Sequence, residues 1–326
     1  MMSQTLPDFN DVLAAADRIE GLAHRTPVLT SAYFNKRTGA ELFFKCENFQ
    51  KVGAFKFRGA CNAVRALNSE ELRRGIVTHS SGNHGQAVAL AARLSGTRAV
   101  VVMPENSAQV KVDAVRDYGA EVAFCAPNTP ARMAAVQALI EQGGYCEIPP
   151  YDHPDVIAGQ GTAALELLSD YPDLDLVLTP VGGGGLIAGT AIAARHLNPA
   201  IQVIAAEPAN ADDAARSFRS GRLEPAASTQ TIADGLRTTL GVLNFAVIQS
   251  NVDDIVTVSE KSIVATTLAV WQRMKIIIEP SCSLPLAARL DGRTETKGKR
   301  IGIILTGGNV DVPAFLSASR AIVDGV

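Results

Sequence analysis

Residues 175–196 read DLVLTPVGGGGLIAGTAIAARH, and this stretch decides the fold. Its first half is a short apolar run of strand length, and its second half carries the alanine-rich apolar spacing of a helix. Between them Val181-Gly182-Gly183-Gly184-Gly185-Leu186 makes a tight turn. Residues 176–194 are uncharged and long enough to cross a membrane by count alone, but Pro180 and four consecutive glycines would break a spanning helix. Strand, glycine turn and helix is the unit of a parallel sheet covered by helices, and it recurs outward in both directions. Further strands are expected at 98–103 (RAVVVM), 121–124 (EVAF), 201–206 (IQVIAA) and 300–306 (RIGIILT), with helices at 86–95, 129–142, 161–168 and 186–196. The class is α/β. No low-complexity linker or tandem repeat divides the 326 residues, and residues 75–144 form a compact set of strand-helix units that fits a small domain inserted into a larger one.

Composition narrows the function. Hydrophobic residues make up 47% and charged residues 19%, enough apolar material for a large core. A net charge of −3, without a basic run, argues against a nucleic-acid partner. The first twenty residues lack a cationic start and an apolar core and contain Asp8, Asp11 and Asp17, so no export signal is read and a cytoplasmic location is expected. Five cysteines without any CxxC spacing suggest reduced thiols rather than a disulfide or zinc framework.

Five segments can carry chemistry. Gly182, Gly183, Gly184 and Gly185 open a helix, where exposed N–H groups and the helix dipole suit a phosphate; the alternative is a tight turn with no ligand. The run is not a clean G-x-G-x-x-G, since Ala188 stands where the last glycine would be, which weakens a dinucleotide (NAD) dehydrogenase reading. Lys56 stands between Phe55 and Phe57, so its amine is either desolvated with a lowered pKa, as imine chemistry requires, or an ordinary snorkelling lysine. In Thr78-His79-Ser80-Ser81-Gly82-Asn83-His84-Gly85-Gln86, hydroxyls, an amide and an imidazole meet a helix start, which suits a carboxylate or is a capped helix alone. Glu207-Pro208-Ala209-Asn210-Ala211-Asp212-Asp213 offers hard oxygen ligands for Mg²⁺ or Ca²⁺, or else solvated loop acids. Leu305-Thr306-Gly307-Gly308-Asn309 is a turn at a strand's C-terminal end, where open α/β sheets gather ligands.

Taken in order, these motifs resemble the fold type II (tryptophan synthase β-like) pyridoxal-phosphate enzymes, within them the serine racemase, serine/threonine dehydratase and 3-hydroxyaspartate dehydratase group. The resemblance runs over residues 26–311. It implies two open, mostly parallel twisted sheets flanked by helices. Residues 1–74 and 145–326 would form the large pyridoxal-phosphate domain and 75–144 a small mobile one. In the family motif Ser/Ala-Phe-Lys-x-Arg-Gly-Ala, Lys56 falls on the Schiff-base lysine and Phe55 on the residue packing against the cofactor. The glycine loop would hold the phosphate, Asn83 the ring hydroxyl, and Thr306 would face the ring nitrogen. Ser80, Ser81, Asn83, His84 and Thr238 match substrate-binding residues, with Ser81 the acid/base opposite the lysine. Glu207, the Ala211 carbonyl and Asp213 match a divalent-metal site for Mg²⁺, or Ca²⁺ or Mn²⁺. Arg132 falls where a second substrate carboxylate can be met, and Tyr151-Asp152-His153-Pro154 is closer to the 3-hydroxyaspartate dehydratases than to the threonine enzymes. The implied activity is dehydration of L-serine, L-threonine or 3-hydroxyaspartate to a 2-oxo acid and ammonia, or amino-acid racemisation, in a homodimer acting on a small amino acid. The segment Glu279-Pro280-Ser281-Cys282-Ser283-Leu284-Pro285 departs from the family's small Gly/Ala residues.

Overall fold

The computed structural model describes residues 5–80, 82–294 and 297–324. Ten strands among them form two sheets: β1 (Val28–Leu29), β2 (Glu41–Cys46), β3 (Ile76–His79), β4 (Ala99–Pro104), β5 (Glu121–Cys125), β6 (Cys146–Glu147), β7 (Leu176–Pro180), β8 (Gln202–Pro208), β9 (Asp254–Val258) and β10 (Arg300–Leu305). The six-stranded sheet runs β1-β2-β10-β7-β8-β9 and the four-stranded sheet β5-β4-β3-β6. Every pairing is parallel except β1 with β2. Central strands such as β4 and β7 are buried along their whole length, which is why they read as continuous apolar runs. β6 joins the smaller sheet beyond the boundary expected at 144. No helix among the described residues is long and apolar enough to cross a membrane.

Three helices fix the functional end of the larger sheet. The helix Pro154–Asp170 starts well before the expected position 161, capped by His153, whose Nδ1 accepts the Asp155 N–H at 3.2 Å. It lies between the helices Lys56–Ala66 and Gly185–Leu197. At both crossings backbone meets backbone: a Cβ on Gly159 would stand 2.7 Å from Gly59 Cα, and one on Gly189 would stand 2.3 Å from the Ile157 carbonyl and 2.5 Å from the Gly161 nitrogen. No rotamer change relieves such contacts, because the colliding atoms are main chain.

The Lys56–Ala66 helix is also held by charge. Arg58, fully buried, donates to both oxygens of Glu47 (2.7 and 2.8 Å) and to both of Glu166 (2.7 and 2.8 Å). Lys45, also buried, reaches Glu166 at 2.5 Å and the Thr26 carbonyl at 2.8 Å. Two cations and two carboxylates with satisfied hydrogen bonds make a neutral cluster, the arrangement in which buried charge is tolerable. It welds β2 and the turn after it to the first turn of the Lys56 helix.

Gly189→Ala is expected to lower stability by about 3 kcal/mol or more, the upper range for overpacking. Thermal unfolding checks this; an unchanged melting temperature would show that the helices can separate.

Candidate active site

Every segment singled out above leaves the C-terminal end of a parallel strand: the Lys56 segment follows β2, residues 80–86 follow β3, the glycine loop follows β7, residues 209–213 follow β8 and Thr306 follows β10. Parallel register gathers the segments after β2, β7, β8 and β10 on one edge of the larger sheet, while residues 80–86 leave the smaller sheet and face them through Asn83.

Lys56 opens its helix. Its Nζ donates to the Pro150 carbonyl at 2.7 Å and stands 5.2 Å from the centre of the Phe55 ring and 6.0 Å from that of Tyr151. Burial lowers its pKa to about 8, against the opposing pull of the Glu279 charge. The segment before it is laced to the end of β10: the Phe55 N–H donates to the Thr306 carbonyl and the Gly308 N–H to the Gly53 carbonyl, both at 2.9 Å. Lys56 and buried Thr306 thus occupy one rigid corner.

The glycine loop forms a cradle. Gly184 has φ of +96°, a conformation open to glycine, and a Cβ on Gly183 would overlap the Tyr151 ring at 2.3 Å. The Gly183 carbonyl is pinned by the Asn244 side-chain amide (2.7 Å) and the Gly241 N–H (3.0 Å). Among the described residues no acceptor meets the N–H groups of Gly182, Gly183, Gly184 or Gly185. The Thr238 hydroxyl, buried beside Gly182, also has no partner. A cradle of unsatisfied donors at the N-terminal end of a buried helix fits a phosphate group, and the aromatic-flanked amine of Lys56 fits the aldehyde of pyridoxal phosphate.

Across the cleft, the helix Asn83–Leu94 begins at Gly82 without a side-chain cap. Ser80 Oγ accepts the Gly82 N–H at 3.1 Å. Ser81 lies outside the described residues. His84 is buried, with Nε2 3.0 Å from the Ile148 carbonyl and Nδ1 unpartnered; burial lowers its pKa to about 3, so it is neutral, with the proton on Nε2 and an acceptor at Nδ1. Arg132, half-buried on the helix Thr129–Gly143, is close enough for its charge to act on both His79 and Tyr151, and its Nε has no partner. Burial, reinforced by Arg132, lowers His79 to about 4.

Asn83 reaches the other wall. Its Nδ2 donates to both oxygens of Glu279 (3.1 and 3.0 Å), and its Oδ1 accepts from Asn309 Nδ2 at 2.8 Å. Burial raises the Glu279 carboxyl to about 7, opposed by the Asn83 hydrogen bonds. Sequence reading did not name Glu279 as a site residue. Its signal was an acid alone in the otherwise uncharged run 276–288.

The acidic segment after β8 is less complete. Glu207 accepts the Ala214 and Ala215 N–H groups (2.9 and 2.8 Å), and Asp213 accepts the Leu240 N–H (2.8 Å). Burial raises Glu207 to about 8 and pushes Asp213 up as well. No group of three or more His, Cys, Asp or Glu side chains converges on a cation site among the described residues, so any metal would rest on these two carboxylates and carbonyls.

The chain is 50% identical over 309 residues to a serine racemase of Dictyostelium discoideum, covering 94% of this chain and 95% of that protein. It is 46% identical over 321 residues to an L-threo-3-hydroxyaspartate ammonia-lyase of Saccharomyces cerevisiae, covering 98% of each. The crystal structure of the Dictyostelium serine racemase superposes with a TM-score of 0.90 at 49% identity, over 94% of this chain and all of that one. A family model described as pyridoxal-phosphate dependent enzyme matches residues 19–307, and the protein belongs to that family.

Proposed function

We propose that the protein is a pyridoxal-phosphate dependent ammonia-lyase that dehydrates a 3-hydroxy amino acid, with 3-hydroxyaspartate as its preferred substrate, to a 2-oxo acid and ammonia. The observation that carries the substrate choice is Arg132, half-buried, near enough for its charge to act on His79 and Tyr151 and short of a partner for Nε. A guanidinium so placed suits a second carboxylate, which serine and threonine lack. The near-complete match to an L-threo-3-hydroxyaspartate ammonia-lyase supports it, and the dinucleotide reading of the glycine run is given up.

Pyridoxal phosphate, when bound, supplies an electron sink for the pair released at the substrate Cα. The chain does the rest. The four glycine N–H groups and the Thr238 hydroxyl hold the phosphate. Phe55 and Tyr151 keep water from Lys56, whose lowered pKa gives it a large neutral fraction near pH 8 and lets it take the Cα proton. The uncapped start of the Asn83–Leu94 helix, with Ser80, Ser81 and His84, binds the α-carboxylate, while Arg132 binds the distal one. Asn83, held by Glu279 and Asn309, would meet the ring hydroxyl of the cofactor. Thr306 would offer the ring nitrogen a neutral hydroxyl rather than a carboxylate. Residues 75–144 act as a small domain that closes over the substrate, and the enzyme works as a cytoplasmic homodimer. Serine racemisation is a second reading, favoured by the 50% identical racemase, with Ser81 as proton donor on the face opposite Lys56.

A metal at Glu207, Asp213 and the Ala211 carbonyl would be Mg²⁺ or a similar hard cation. Two buried carboxylates with raised pKa values are a pocket short of positive charge. Since Asp213 holds Leu240, the cation would stiffen the segment that carries Thr238 against the glycine loop.

Lys56→Ala should lower 2-oxo acid release by about 10²-fold or more and abolish the borohydride-sensitive visible absorption; retained colour and turnover would refute the assignment. Arg132→Gln should lower kcat/KM for 3-hydroxyaspartate by about tenfold to a hundredfold, from loss of charged hydrogen bonds, while leaving serine turnover within a few-fold. Equal losses for both substrates would remove the dicarboxylate argument, and chiral assay of the residual serine reads racemisation directly. Glu207 must lose its proton to bind a cation, so Mg²⁺ affinity should fall about tenfold per pH unit below about 8. Without metal, the stability linked to neutral Glu207 is present at low pH and lost as pH rises through about 8, so Mg²⁺ should raise the melting temperature most above that pH. A pH-independent Mg²⁺ shift, or none, contradicts the site.

A further inference from the structure

Asn244, on the helix Val242–Asn251, is fully buried and stands 61 residues along the chain from the glycine it holds. Its side-chain nitrogen donates to the Gly183 carbonyl at 2.7 Å and to the Tyr151 carbonyl at 3.3 Å. Both partners can only accept, so the amide has one permitted orientation. The Gly183 carbonyl takes a second hydrogen bond from the Gly241 N–H at 3.0 Å, which engages both of its lone pairs. Asn244 also packs against the next residue of the loop: a Cβ on Gly184 would stand 2.8 Å from the Asn244 Cβ.

The position of that amide is itself fixed. Asp152 accepts the N–H groups of Val242 (2.9 Å), Leu243 (2.9 Å) and Asn244 (3.3 Å), the orphan donors of the helix's first turn. Gly241, the residue before the helix, offers no side chain for this purpose. Asp152 directly follows Tyr151, whose ring fills the space beside Gly183 and stands near the Lys56 amine. One short segment therefore seats the start of the Asn244 helix and packs the glycine loop together.

The carbonyl of Gly183 and the N–H of Gly184 belong to one planar trans peptide, so they point in opposite directions. Fastening the carbonyl on one side aims the N–H to the other. Without such a fastening, a peptide between two glycines turns easily, because neither residue has a side chain to restrict it. A donor already aimed at an anion needs no reorganisation when the anion binds. We propose that Asn244, seated by Asp152, is a positioning residue of the cofactor site: it turns the Gly183–Gly184 peptide so that the Gly184 N–H meets the phosphate of pyridoxal phosphate. This rests on the reading of the glycine loop as the phosphate cradle. Asn244 acts through the peptide, from the side away from the phosphate.

The test compares pyridoxal phosphate with pyridoxal, the same aldehyde without the phosphate. Each is titrated into the full-length protein freed of cofactor, and binding is followed by the visible absorption that the Lys56 amine gives with either aldehyde. Asn244→Leu keeps the side chain's bulk and removes its donors. It should weaken pyridoxal phosphate binding about tenfold or more, the loss expected when a hydrogen bond to a charged group is misdirected, and leave pyridoxal binding unchanged. Asp152→Asn keeps the shape of the cap and removes its charge. It should weaken pyridoxal phosphate binding a few-fold with the same indifference to pyridoxal, and it carries the test if the first variant does not fold. Equal losses for the two aldehydes, or no loss, in the variant that folds overturn the role of Asn244. Equal affinities of the unsubstituted protein for the two aldehydes overturn the phosphate cradle itself, so the two failures are distinguished in one experiment.

Discussion

The closest constraint in the molecule is the contact of three helices through their backbones. Gly59, Gly159, Gly161 and Gly189 let the Pro154–Asp170 helix lie against both the helix that carries Lys56 and the helix that opens at the glycine loop. The amine and the phosphate cradle belong to different strands, so sheet register alone sets their separation only along the strand direction. The glycine contacts set it in the direction normal to the sheet, and main-chain atoms cannot adjust by changing rotamer. Tyr151 completes the arrangement, because its ring fills the space a Cβ on Gly183 would need while standing beside the Lys56 amine.

Charge is distributed according to the same division of labour. Around Arg58 every buried charge is answered by one of opposite sign and by hydrogen bonds, and the cluster is a fastening. At the functional edge the buried groups are left wanting: Lys56 is shifted down, Glu207 and Glu279 up, and the donors of the glycine loop and Thr238 are unsatisfied. Unanswered polarity costs stability, and it persists where a ligand supplies the missing partner.

What could be read in the sequence depended on how local its cause was. The unit at β7, the glycine loop and the helix after it was legible because the strand length, the glycine turn and the helical spacing lie side by side in the chain. β1 and β6, two residues each, carry no pattern and exist only through their neighbours. The helix Pro154–Asp170 was cut short in the reading because its first turns are marked by Gly159 and Gly161, which look like breakers until their crossing partners are known. Lys56 stood out by its aromatic flanks. Arg132 and the acids after β8 took their meaning from family resemblance, since an arginine on a helix or acids in a loop have no distinctive local chemistry. Glu279, noted only as part of a segment that departs from the family pattern, has no site role legible in sequence because its importance comes from burial and from Asn83, on the far side of the cleft.

The pairing of β2 with β10 joins residues 41–46 to residues 300–305, whereas the smaller sheet is assembled wholly from strands between residues 76 and 147. As the chain leaves the ribosome, the smaller sheet has all its strands before half of the protein is made, while β2, paired until then only with the two-residue β1, must wait for its parallel partner near the other end. Thr306 arrives with that last strand. The cofactor pocket is therefore the final part of the molecule to come into being, and a chain stopped short of β10 would carry Lys56 and the phosphate loop without the wall that makes them an active site.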